Sequence, residues 1–222
     1  MVHQYKAAAF DLDGTLLDTS AGVLASVRYT IDKFGFESLT EAQLKNFIGP
    51  PIQDSFARQY NLKGNILQEI ATVFRDRYKN VDLLKAVPYS GIYDVFKILN
   101  DHGIKPVIAT YKRQDYATMI LKHFHFDEYT DIMYGADHEN KLKKKDIIEM
   151  ALKDAGISDF SEAVVIGDSD NDAIGANAIG TDFIGVTYGF GFKSHDDVIR
   201  FHSVGVADST MDITKIILGG TK

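Results

Sequence analysis

Five short apolar runs, at residues 6–12, 105–110, 131–135, 163–167 and 183–186, constrain this chain more than any other feature, because helical patterns lie between the later ones. Strands separated by helices cannot pair as hairpins, and each helical crossover brings the chain back in the same direction. The runs therefore predict an α/β fold: a Rossmann-like open parallel sheet flanked by helices. Those helices are expected at residues 90–100, 114–123, 144–154 and 171–178, with Gly156 and Gly180 as stops after the last two.

The interval from Leu17 to Val87 breaks the alternation. It holds amphipathic segments at residues 21–34, 40–47, 52–60 and 65–79 and no convincing strand, with Gly35, Gly49-Pro50-Pro51 and Gly64 as breakers. Nearly 70 residues are too many for one crossover, so this interval is expected to be an inserted α-helical domain. Residues 18–85 are assigned to the insert, and residues 1–17 with 86–222 to the α/β core.

The chain has 222 residues, 45% hydrophobic and 25% charged, enough to bury a proper core. The absence of Cys excludes thiol catalysis and zinc–thiolate sites, and no apolar run approaches the roughly 20 residues of a membrane span. A formal charge of −7 argues against a general affinity for nucleic acid. A cytoplasmic protein that does not engage membranes, monomeric or weakly homodimeric, is the expectation.

In open parallel sheets ligands bind beyond the carboxyl ends of the strands. The first run ends in Asp11-Leu12-Asp13-Gly14-Thr15, the second in Thr110-Tyr111, and the fourth in Gly167-Asp168-Ser169-Asp170-Asn171-Asp172. After the third comes a basic run, Lys141 to Lys145 with Leu142 inside it. On an extended chain Asp11 and Asp13 share a face and repel each other, and carboxylates gathered at one crevice call for a cation. Hard oxygen donors without His or Cys suit Mg²⁺.

The motifs "DLDGT", a strand-terminal Thr, a downstream Lys and "GDSDND", in that order, resemble the haloacid dehalogenase-like hydrolase superfamily, most of whose members are phosphatases. The likeness spans the whole chain, the insert matching the family's helical cap. It implies that Asp11 is the nucleophile that takes the phosphoryl group, and that Asp13 is the acid for the leaving oxygen and then the base for water. It implies Mg²⁺ held by Asp11, the Asp13 backbone carbonyl and Asp168, with Asp172 in support. Thr110, Tyr111 and a lysine would bind the phosphoryl group. Lys144 fits the family frame for that lysine, being followed by Asp146, Ile147 and Ile148; Lys143 and Lys145 are the alternatives.

Asp13 argues against a dehalogenase, since loss of halide needs no protonated leaving oxygen. "FIGPPIQDSF" and "IGVTYGFG" look most like the phosphoglycolate phosphatase and 5'-nucleotidase branch, which implies a small phosphorylated metabolite as substrate and a cap loop at Gly49 and Pro50 that selects it. Two alternatives stand beside this: a sugar-phosphate mutase of the β-phosphoglucomutase type, and a phosphometabolite-binding module without turnover.

Overall fold

The computed structural model describes residues 5–138 and 141–219. Along the chain the strands are β1 (Ala7–Phe10), β2 (Leu17–Asp18), β3 (Val87–Pro88), β4 (Lys105–Arg113), β5 (Met133–Ala136), β6 (Ala163–Gly167), β7 (Asp182–Val186) and β8 (Gly205–Ala207). The helices are α1 (Ser20–Phe34), α2 (Glu41–Lys45), α3 (Ile52–Tyr60), α4 (Ile66–Arg77), α5 (Ile92–Asp101), α6 (Gln114–His123), α7 (Lys144–Asp154), α8 (Asp170–Ile179), α9 (His195–Ile199) and α10 (Thr210–Ile217). Two compact units result: Met1–Asp18 with Pro88–Lys222, and Thr19–Val87.

The first unit is built on a six-stranded sheet in the order β5-β4-β1-β6-β7-β8. Every pairing in it is parallel; Phe10 of β1 sits opposite Ile108 of β4 on one side and Ile166 of β6 on the other. Its four-residue central strand is fully buried, as a strand covered on both faces must be. Ala7 and Ala9 pack in a cluster with Ile147, Ile148 and Ala151 of α7 and Ala173 of α8. Phe10 points the other way, its ring 4.8 Å from Phe96 of α5.

Three differences from the sequence expectation have local causes. The sixth strand, β8, was not anticipated; it is only three residues long and lies at the sheet edge, half-buried, too short to show a period. β4 runs on to Arg113, three residues beyond the expected end, with a register shift against β5 between Ala109 and Arg113. β1, by contrast, stops at Phe10, and the chain turns over residues 12–17, with Gly14 N–H and Leu16 N–H donating to the carbonyls of Leu17 and Leu12.

The second unit is helical, with its own core of Val27, Ile31, Leu44, Phe47, Ile52, Phe56 and Ile70. Phe47 meets Phe56 edge-on at 5.0 Å. Thr40 and Gln43 form a reciprocal capping box at the start of α2. α4 leads into a π-helical turn, Tyr78–Asp82, which ends at a fully buried carboxylate: Asp82 accepts from Ser26 Oγ at 3.0 Å and Arg77 Nε at 2.8 Å and pairs with Lys85 Nζ at 2.7 Å. No helix among the described residues is long and apolar enough to cross a membrane.

Candidate active site

β1 stands where the strand order reverses: the chain leaves it to build β4 and β5 on one side, then returns to build β6, β7 and β8 on the other. A crevice opens at such a switch point beyond the carboxyl ends of the strands. Asp11 follows β1 directly, Thr110 lies in β4, and Asp168 follows β6 directly. Three adjacent strands thus bring together residues that are up to 157 positions apart in sequence.

The N-terminus of α7 enters the same crevice. Lys144 Nζ lies 2.5 Å from Asp11 Oδ1 and 2.6 Å from Asp172 Oδ1, with its side chain only 4% exposed. Lys145 by contrast is half-exposed, 3.9 Å from its neighbour Asp146, and the backbone N–H of Lys143 caps its own helix through Asp146. Tyr111 fixes the start of α7, its hydroxyl accepting from Lys144 N–H at 2.8 Å while the residue stays 40% exposed.

Asp168 is held from its other side. Its Oδ2 accepts from the backbone N–H groups of Phe190 at 2.6 Å and Gly191 at 3.0 Å, so the "TYGFG" segment acts as a cradle for this carboxylate. Gly14 closes the cradle: a Cβ there would lie 2.2 Å from Asp168 Oδ2. Asp172 is occupied at both oxygens, Oδ2 by the N–H and hydroxyl of Ser169 in the capping box of α8 and Oδ1 by Lys144.

Asp11 and Asp13 pair with different lysines, although the Asp13 charge still acts on Asp11. Because the strand ends at Phe10, the Asp13 carboxylate turns instead to Lys112, whose Nζ lies 3.0 Å from its Oδ2 with a side chain 8% exposed. Lys112 escaped the sequence reading. Its signal, a Lys two positions after Thr110, has meaning only once β4 is known to continue through it. Thr110 is buried, and its hydroxyl oxygen accepts from Lys112 N–H at 3.1 Å, which leaves the hydroxyl proton for another acceptor. Gly49 and Pro50 belong to the helical unit, where they form an exposed turn between α2 and α3 with Gly49 at φ 101.

Single oxygens of Asp11, Asp168 and Asp172 lie within 4.8 Å of one another. Burial pushes the Asp11 carboxyl up to about 8; the Lys144 ammonium opposes the rise and the charges of Asp172, Asp168 and Asp13 add to it. Burial and Asp172 likewise raise Asp168 to about 6, against the two backbone donors and Lys144. Burial disfavours the Lys144 ammonium too, but Asp11 and Asp172 outweigh it and hold the proton above the ordinary lysine range. Fully ionised, Asp11, Asp13, Asp168 and Asp172 outnumber by two the ammonium groups of Lys112 and Lys144 that pair with them among the described residues. An all-oxygen donor set with that excess fits one hard divalent cation such as Mg²⁺, with Asp11 and Asp168 as the carboxylates still open to it. Asp172 is already committed to Lys144 and Ser169.

The model of the haloacid dehalogenase-like hydrolase family matches residues 8–186. The chain belongs to that family. It is 31% identical to a 5'-nucleotidase of Pseudomonas aeruginosa over 90% of this chain and 89% of that one. It is 32% identical to the pyrophosphatase PpaX of Bacillus pumilus over 81% and 82%. The crystal structure of a predicted phosphatase from Clostridium acetobutylicum, 33% identical, superposes with a TM-score of 0.85 over 97% of this chain and 99% of that one. The protein is accordingly a hydrolase of the phosphatase class within this family, with the family's parallel-sheet fold.

Proposed function

We propose that this hydrolase is a Mg²⁺-dependent phosphatase that cleaves a small phosphorylated metabolite, of the phosphoglycolate or 5'-nucleotide kind, through an aspartyl-phosphate on Asp11. The observation that carries the proposal is the buried Asp11–Lys144–Asp172 cluster set beside Asp168 at the switch point of the sheet. A carboxylate can attack a phosphate dianion only where positive charge cancels the repulsion, and Lys144 supplies such a charge beside Asp11.

An oxygen of Asp11 attacks phosphorus, the bond from phosphorus to the leaving oxygen breaks, and Asp13 gives that oxygen its proton. Water then attacks phosphorus as Asp13 takes its proton, and inorganic phosphate departs with Asp11 restored. Lys144 neutralises charge on the phosphoryl oxygens, while the Thr110 hydroxyl and the Tyr111 hydroxyl, whose oxygens already accept from backbone N–H groups, point their protons to those oxygens. Asp11, the Asp13 backbone carbonyl and Asp168 would hold Mg²⁺, which would supply charge neutralisation for the phosphoryl group. We assign part of the choice of substrate to the exposed turn at Gly49 and Pro50 in the helical unit.

Purified protein with Mg²⁺ is expected to hydrolyse p-nitrophenyl phosphate, and Asp11→Asn is expected to lower turnover by about 10³-fold or more with the melting profile retained. Turnover by Asp11→Asn at the wild-type rate would refute the covalent route.

A further inference from the structure

We infer that Lys112 selects substrates whose leaving group carries its own negative charge close to the scissile oxygen, as pyrophosphate and 2-phosphoglycolate do and a nucleoside 5'-monophosphate does not. The inference rests on the phosphatase reading above and adds to it the chemical class of the leaving group.

Lys112 is a nearly buried lysine, and lysines are seldom buried without a purpose that offsets the loss of hydration. Its position is built rather than incidental. β4 shifts register against β5 between Ala109 and Arg113, the kind of irregularity that re-aims a side chain beside a site. Gln114 pins that segment to β5, its Nε2 donating to the Met133 carbonyl at 3.0 Å and its Oε1 accepting from Gly135 N–H at 2.6 Å. Gly135 has to lack a side chain, because a Cβ there would come within 2.6 Å of the Lys112 carbonyl oxygen. Thr110 Oγ1 then receives the Lys112 N–H.

The two lysines divide the crevice. Lys144 sits with Asp11 and Asp172, on the side where phosphorus is attacked. Lys112 sits with Asp13, the residue that serves the leaving oxygen, so its ammonium faces what departs. The neighbouring Arg113 is not a competitor for that role, since it is committed to a two-pronged pair with Asp115 at 2.6 and 2.7 Å. With a leaving oxygen at Asp13, a carboxylate or second phosphoryl two or three bonds further on comes within reach of the Lys112 ammonium. A neutral ribose offers nothing in its place. A charge-assisted hydrogen bond gained by one substrate and not the other amounts to a discrimination of about tenfold or more.

The experiment compares pyrophosphate, 2-phosphoglycolate, AMP and p-nitrophenyl phosphate by kcat/KM with Mg²⁺ for the wild type, Lys112→Met, Lys112→Gln and Lys112→Arg. The wild type should favour pyrophosphate or 2-phosphoglycolate over AMP by about tenfold or more. Lys112→Met and Lys112→Gln should lose most of that ratio, and Lys112→Arg should keep most of it. Calorimetric binding to Asp11→Asn protein provides a readout without turnover: adding Lys112→Met should weaken 2-phosphoglycolate about tenfold more than AMP. A wild type that prefers AMP, or a ratio that Lys112→Met leaves in place, overturns the role of Lys112 while the phosphatase reading stands. Hydrolysis of none of the four esters and anhydrides would instead overturn the phosphatase reading itself.

Discussion

Gly14 shows how tightly single residues are specified in the crevice. It sits at φ +82, where an L side chain is strained, and a Cβ would meet Asp168 Oδ2 at 2.2 Å. Asp168 cannot move aside without losing the N–H groups of Phe190 and Gly191. Gly14→Ala should therefore cost about 2 kcal/mol or more in stability, above the ~1–2 kcal/mol of the left-handed backbone alone. Activity on p-nitrophenyl phosphate should fall about 10²-fold or more. Gly103, at φ +74 with open space around it, separates the two terms: Gly103→Ala bears only the backbone strain. If both variants lose equal stability and equal activity, the Asp168 contact is not what fixes Gly14. In the sequence "DLDGT" already displayed this glycine, but not its reason, because the atom it makes room for is 154 positions further along the chain.

At the scale of elements, strands and helices that repeat a pattern over many residues were legible in the sequence, and those defined by one irregularity were not. α7 falls at its expected bounds because a helical apolar period marks it, and β6 because its short β-branched run does, while Lys144 stood out through the likeness to the family's motif. The extension of β4 through Lys112 depends on a pairing shift with β5, which no local period encodes. The π-turn after α4 is of the same sort: it exists to deliver Asp82 to Ser26, Arg77 and Lys85, partners spread over 60 positions of the helical unit. Burial disfavours the Asp82 carboxylate, yet hydrogen bonds from Lys85, Arg77 and Ser26 hold its pKa below the usual range. A depressed folded-state pKa means stability that is present above the unfolded value near 4 and lost as pH falls through the lower folded value. Asp82→Asn should remove about 2 kcal/mol, less than the 3–5 of a fully buried pair because Arg77 and Lys85 are partly solvated. Hydrogen exchange would be expected to quicken in α1 and the π-turn of the full chain, and unchanged protection there would show that Asp82 holds nothing together.

Across the whole molecule the crevice makes stability depend on pH and on metal together. Asp11 and Asp168 have folded-state pKa values raised to about 8 and about 6, against an unfolded value near 4. Between about pH 4 and 8 the native state consequently binds more protons than the unfolded one, so without metal this contribution to stability is complete below about pH 4, declines as pH rises, and levels off above about pH 8. A divalent cation bound among these carboxylates, as proposed, would reverse the trend, because it would favour the ionised forms that burial penalises and bind with release of protons. It also stabilises only the folded state, where the three oxygens lie within 4.8 Å. Millimolar Mg²⁺ should therefore raise the melting temperature more at about pH 8 than at about pH 5.5, and chelation should lower it most at the alkaline end. Asp168→Asn removes one of the open carboxylates, lessens the alkaline penalty on the metal-free protein, and should flatten the Mg²⁺-induced shift across the same range. A wild-type shift equal at both pH values, or larger at the acidic one, would mean that the clustered carboxylates are not where the cation binds. The excess of negative charge that makes the crevice costly to fold is the excess that the proposed cation would neutralise ahead of the phosphoryl group.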